Sequence, residues 1–112
     1  MNFVDVVAID ELPTATPMAA QAGGHDIVLV RLTDRVCALQ RRCPHLGGDL
    51  AKGRLTGGIL VCPRHAAAFE VATGAAVDPA RLLFLKFRTK NALTYPVNVE
   101  GGRVLVGVEP QT

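Results

Sequence analysis

Four of the chain's cysteine and histidine side chains are gathered into two short loops. The first reads Cys43-Pro44-His45-Leu46-Gly47-Gly48 and the second Cys62-Pro63-Arg64-His65. Each loop offers one thiol and one imidazole, as Cys-x-His and then, after the sixteen residues 46 through 61, Cys-x-x-His. Thiolates and neutral imidazoles are metal ligands, and two of each make a full set of four. Three cysteines in all fit poorly with a disulfide framework, and in a cytosolic setting metal binding is the better assumption. Such a set could hold zinc, although zinc modules usually supply their ligands in like pairs, two cysteines and then two histidines. One cysteine and one histidine per loop also suits a two-iron cluster, in which one iron takes both thiolates and the other both imidazoles.

The elements that must position these loops read as short strands. Val4–Ile9 is an apolar opening strand, stopped by Asp10-Glu11 and by Pro13 and Pro17. Residues 18–22 form a second strand and turn through Gly23-Gly24 into Asp26–Leu32, a β-branched run typical of a buried strand. Val36–Gln40 returns. From Arg41 to Pro79 glycines and prolines become frequent, and only short strands fit between them. Leu55, Gly57-Gly58 and Ile59–Val61 make a tight hairpin that holds the two loops side by side, and Phe69–Val71 is a further short strand. Tyr95–Glu100 and Arg103–Val108 pair across Gly101-Gly102. Helical periodicity is weak throughout, with room for one short Ala-rich helix. The expected architecture is a single all-β domain over 1–112, an antiparallel sandwich or barrel interrupted by a loop-rich insert at about 41–80.

Composition narrows the function. The chain is 49% hydrophobic and 20% charged, which excludes a disordered solvating segment. Aromatic residues make up only 4% and the formal charge is +2, so neither base stacking nor a phosphate-binding stripe is supported, and no nucleic-acid partner is expected. The best apolar runs, Ile27–Val30 and Ile59–Cys62, are strand-sized rather than membrane-sized. Met1–Asp5 lacks the basic start and apolar core of an export signal, so a soluble cytoplasmic protein is expected.

The two loops resemble the two boxes of the Rieske [2Fe–2S] family. The likeness extends to Lys52-Gly53-Arg54-Leu55, to Phe69–Gly74, to Tyr95-Pro96-Val97 and to Val99–Gly102, so it covers nearly the whole chain. The resemblance implies a Rieske-type β fold, with Cys43 and Cys62 on the inner iron and His45 and His65 on the outer iron. It also implies a one-electron carrier rather than an enzyme, expected to be monomeric. A flavoprotein reductase would draw electrons from NAD(P)H, and the carrier would pass them transiently to a terminal oxygenase, commonly one that hydroxylates aromatic rings. The alternatives are a Rieske subunit held permanently in another oxidoreductase, such as a nitrite reductase, and a structural zinc module.

The chain departs from some relatives in informative ways. Quinol-oxidising members carry an extra cysteine in each box; Gly48 and Arg64 stand at those positions here, so that disulfide cannot form. Ala67 and Phe69 replace the serine and tyrosine whose hydroxyls face the cluster sulfurs in the high-potential members. Fewer donors to sulfur stabilise the reduced cluster less, which places the potential at the low end of the roughly −150 to +300 mV Rieske range. Ala66 follows His65 where glycine is common. With neutral imidazoles the oxidised site is uncharged, and one electron makes it negative. Arg41, Arg42, Lys52, Arg54 and Arg64 read as a basic rim opposed by Asp49, unlike the acidic character common among small oxygenase ferredoxins. Cys37 reads as a buried core thiol and His25 as a plain turn residue. Pro79 matches the family's third, cluster-covering loop, and Arg81–Arg88 reads as a packed strand or an apolar-basic partner patch.

Overall fold

In the computed structural model the described residues are 1–44, 47–64, 67–77 and 90–109. They form eleven strands in three antiparallel sheets. The first sheet joins β1 (Asn2–Ala8), β11 (Arg103–Val108) and β10 (Val97–Glu100), in that order. The second runs β2 (Met18–Ala22), β3 (His25–Arg31), β4 (Val36–Gln40) and β9 (Thr94–Tyr95). The third is the insert, β5 (Arg54–Thr56), β6 (Ile59–Val61), β7 (Ala68–Glu70) and β8 (Ala76–Val77).

The unbroken apolar run in β3 has a simple cause: its sheet lies in the middle and is covered on both faces. Side chains alternate along a strand. Ile27 and Leu29 therefore enter one core with Val104, Val106 and Val108 of β11, while Val28 and Val30 enter another with the insert. In β4, Ala38 faces the first core, and Cys37 and Leu39 face the second. The insert meets this second core with a cross-strand row, Leu55 opposite Leu60 and Leu60 opposite Phe69, with Ala76 opposite Phe69. Leu60 and Phe69 are fully buried. Truncating a side chain placed like Phe69 removes about 3–5 kcal/mol, so this row fixes the insert to the middle sheet.

Three Gly-Gly pairs make the tight turns, at 23–24, 57–58 and 101–102, all with positive φ. Two-residue hairpins of this type need positive φ at both central positions, which only glycine adopts without strain.

The structure corrects three expectations. Tyr95–Glu100 is not one strand: Tyr95 pairs with Ala38 in the middle sheet, whereas Val97 pairs with Val106 in the first. The break falls at Pro96, which has no N–H to give to a ladder, and its carbonyl accepts from Gly107 N–H at 2.8 Å. His25 is not a plain turn residue but opens β3; its ring nitrogen lies 3.2 Å from the Glu109 carbonyl, and its ring packs 5.9 Å from that of Tyr95. The short Ala-rich helix is absent among the described residues, where the helical pieces are two single 3-10 turns, Ile9–Glu11 and Leu50–Lys52.

Candidate metal centre

The two cysteines head loops of equal length closed in the same way. Cys43 N–H donates to the Gly48 carbonyl at 2.7 Å, and Cys62 N–H donates to the Ala67 carbonyl at 2.7 Å. Each loop therefore begins at a cysteine and returns to it five residues later. The first leaves β4 and is anchored where Arg42 bridges Asp49, with Leu50 N–H donating to the Arg41 carbonyl at 2.8 Å. The second joins β6 to β7, whose ladder runs up to Val61 opposite Ala68. Since the ladders fix both loop bases, the cysteines are held by backbone rather than by side-chain rotamers alone.

Both cysteines are nearly fully buried, Cys43 at 3% exposure and Cys62 at 2%, and both belong to the core that unites insert and middle sheet. The loops meet at their bases. A Cβ at Gly48, the last residue of the first loop, would lie 2.5 Å from Cys62 Sγ, the first residue of the second. The same Cβ would lie 3.3 Å from Arg64 Cγ, so the Arg64 stem lies over this junction. At Gly53 a Cβ would meet the Val61 carbonyl oxygen at 2.6 Å, which presses Lys52–Arg54 against the strand leading into Cys62. These glycines leave room for backbone and sulfur to converge, and the donor set at the junction is thiol sulfur shielded from water. That chemistry fits a thiolate-ligated metal group.

His45 and His65, with Leu46 and Ala66, lie outside the described residues, as do Pro79 and Arg81–Arg88. Cys37, a core thiol as expected, is buried in β4, and burial pushes its thiol pKa above the ordinary value.

Sequence reasoning misses the clamp on the first loop. Arg41 reads as one cation of the basic rim, but its guanidinium is forked onto Asp49, Nε to Oδ1 at 3.0 Å and Nη2 to Oδ2 at 2.9 Å. Asp49 Oδ1 also accepts from Ala51 N–H at 3.0 Å and so caps the following 3-10 turn. The Arg41 hydrogen bonds hold the Asp49 carboxyl below the usual carboxylate range. Two residues eight apart give no helix- or strand-periodic signal, and only the Arg42–Asp49 bridge brings them together. A second set that the sequence does not reveal ties residues 91–93 to β4 and to the chain at 74–76. Leu93 N–H donates to Gln40 Oε1 at 2.7 Å, Ala76 N–H to Asn91 Oδ1 at 2.9 Å, and Ala92 N–H to the Gly74 carbonyl at 2.8 Å.

Fold and site together define an all-β module that presents two cysteine-headed loops from one end of a three-sheet core. The model of the Rieske [2Fe-2S] domain family matches residues 2–82, and the chain belongs to that family. It is 36% identical over 111 residues to the ferredoxin component of the alkene monooxygenase system of Xanthobacter autotrophicus, covering 98% of this chain and 84% of that one. Among solved structures it resembles the ferredoxin of carbazole 1,9a-dioxygenase from Nocardioides aromaticivorans. There the TM-score is 0.84 at 27% identity, with 99% of this chain and 100% of that one covered. It also resembles a chain of the complex of reduced oxygenase and oxidised ferredoxin in carbazole 1,9a-dioxygenase, with TM-score 0.81, 25% identity and coverages of 98% and 96%. Among the described residues no helix is long and apolar enough to cross a membrane.

Proposed function

We propose that the chain is the ferredoxin of a multicomponent oxygenase, carrying one electron at a time on a single Rieske-type cluster. In this reading Cys43 and Cys62 hold one iron, and His45 and His65 hold the other. A flavoprotein reductase fed by NAD(P)H supplies the electron, and a terminal oxygenase of the aromatic-ring-hydroxylating type receives it. When bound, the cluster supplies a reversible one-electron step. The observation that carries the reading is the junction at Gly48, where two buried cysteine loops of equal length meet within a chain of the Rieske family. Family membership favours two irons over the zinc alternative. The names of the relatives, ferredoxin components of oxygenase systems, favour a carrier over a permanent subunit.

The chain's own residues do the following. Burial of Cys43 and Cys62 keeps water from the thiolate sulfurs. Ala67 is buried and Phe69 is wholly buried, and neither has a hydroxyl to donate. The absence of those donors keeps the potential at the low end of the Rieske range. Four protein ligands saturate two irons and leave no open position for substrate, so the chain's role is transfer and not catalysis.

The test is an electron paramagnetic resonance spectrum of the dithionite-reduced protein, taken on the native chain and on His45→Cys. The native protein is expected to show a Rieske signal. The variant is expected to show a changed spectrum and a lower potential, because a thiolate adds negative charge to the outer iron. A native protein without acid-labile sulfide, or a variant with an unaltered spectrum, refutes the assignment.

A further inference from the structure

Charge is distributed unevenly along this chain. Between residues 41 and 64 stand five cations, Arg41, Arg42, Lys52, Arg54 and Arg64, against the single carboxylate Asp49. The whole chain has twelve Lys and Arg against ten Asp and Glu, so the remaining residues carry a net negative charge. The fold turns this into a spatial polarity. Arg41 is bound to Asp49, but Arg42, Lys52, Arg54 and Arg64 are exposed, and among the described residues none of them has a carboxylate at ion-pair distance.

All four lie around the cysteine junction. Arg42 precedes Cys43. Arg54 opens β5 directly opposite Val61, the residue before Cys62. Lys52 is held there by the close approach of Gly53 to the Val61 carbonyl, and the Arg64 stem lies over Gly48. Asp26 faces the same end, where its carbonyl accepts from Arg41 N–H at 3.2 Å, so one acidic side chain lies at the margin. The opposite end of β4 carries both signs: Arg31 lies opposite Val36, Arg35 is ion-paired with Asp34 at 3.6 Å, and Arg103 lies opposite Glu100, so no cationic excess builds up there. Asp34 is in the turn before β4, and Asp10 and Glu11 are carried there by the Arg31 hydrogen bond to the Ile9 carbonyl at 3.0 Å. Glu100 follows, since Ile9 N–H donates to the Gly102 carbonyl at 2.8 Å.

Resting on the proposed electron-carrier reading, we infer that Arg42, Lys52, Arg54 and Arg64 form the docking face for an acidic patch on the oxygenase that receives the electron. Complementary charge steers encounter and fixes orientation more than it adds affinity. The local cationic excess outweighs the single negative charge of the added electron, so the face stays positive in the reduced protein, the state that must dock. The far end, where cations and carboxylates offset one another, offers such a partner no comparable excess, so the polarity presents the cluster end first.

The test uses the holoprotein, reduced and confirmed by its paramagnetic signal, so that failure of the cluster assignment is seen beforehand and separately. One electron leaves the protein, and one oxidant molecule gains it. The oxidants are trianionic hexacyanoferrate(III) and tricationic hexaamminecobalt(III), followed by stopped flow as salt is raised. Between ionic strengths of ~0.01 M and ~1 M the Debye length falls from ~30 Å to ~3 Å. The rate with the anion is expected to fall about tenfold and the rate with the cation to rise. The double variant Lys52→Glu/Arg54→Glu is expected to lose most of both trends. Arg35→Glu, at the far end of β4 and about 20 Å of extended strand from Arg41, is expected to keep them.

A readout independent of electron transfer is the fluorescence anisotropy of a labelled deca-glutamate peptide titrated with the oxidised protein. The native protein and Arg35→Glu are expected to bind it at low salt, and the double variant several-fold more weakly. A flat or inverted salt dependence, equal peptide binding by the double variant, or tighter binding of a short DNA duplex than of the peptide overturns the inference.

Discussion

Gly48 is where the site tolerates least. A Cβ added there would lie 2.5 Å from Cys62 Sγ, far inside van der Waals contact, and the neighbour is a buried sulfur in a ladder-anchored loop rather than a flexible tip. Gly48→Ala must therefore push the two loops apart. The expected result is a folded protein that has lost most of its iron and acid-labile sulfide while its circular dichroism is unchanged; a fully loaded variant would show that the loops do not meet in this way. One residue further on, Asp49→Ala removes both the cap on Ala51 N–H and the partner of Arg41. Losing the cap alone costs about 1 kcal/mol, which for a domain of this size lowers the melting temperature by roughly 4–8 °C. Asp49→Asn, which can still cap, is expected to lose less, and thermal melts of the two variants check the order. The cysteines are legible in the sequence because residue type and spacing alone single them out. Gly48 is legible only as a loop glycine, since what it touches lies fourteen residues away and depends on how the loops face each other.

At the scale of elements, hairpins carry the design, and two of them separate stability from function. Gly58 (φ +79°) turns β5 into β6 inside the insert, and Gly102 (φ +76°) turns β10 into β11 in the outer sheet. A Cβ added at either position would meet nothing within 4 Å, so alanine there brings only the backbone cost of the left-handed region, roughly 1–2 kcal/mol. The Gly58 carbonyl also accepts from Val71 N–H at 3.0 Å, linking the turn to the strand that follows the second cysteine loop. Gly58→Ala is therefore expected to shorten the lifetime of the visible cluster absorbance at elevated temperature. Gly102→Ala is expected to lower the melting temperature by a similar amount while the cluster persists up to that melt. Equal cluster loss in both would mean the insert has no local stability of its own. The strands flanking Gly-Gly turns are readable because alternation and turn chemistry agree there. The β9–β10 division is not, because Tyr95-Pro96-Val97 reads as one extended run until the two sheets that claim its halves are known. β8 escapes a sequence reading for a related reason: two residues, Ala76-Val77, have no periodicity, and only the edge of β7 makes them a strand.

For the whole molecule, the titrating groups predict a stability plateau with two different flanks. Arg103 is forked onto Asp5 across β1 and β11, and Arg41 onto Asp49, and these hydrogen bonds hold both carboxyls below the usual range. A depressed folded pKa means the unfolded chain binds protons first. The stability that these pairs contribute is complete above the ordinary carboxylate value near ~4 and is lost as the pH falls through the depressed values. On the alkaline side burial raises the Cys37 thiol and the Tyr95 phenol. There the unfolded chain releases protons first, so their contribution is complete below about pH 8.5 for the thiol and is lost as the pH rises toward the elevated folded values. Melting temperature measured against pH should therefore be level from about pH 5 to about pH 8 and fall on both sides. Asp5→Asn should soften the acid flank and leave the alkaline one alone. Cys37→Ala should do the reverse, and because Cys37 faces the second core from β4 without sitting in either cysteine loop, its cluster spectrum should stay native. An alkaline flank that survives in Cys37→Ala at full strength would move that loss of stability to Tyr95. A changed spectrum in the same variant would place Cys37 among the groups the cluster senses.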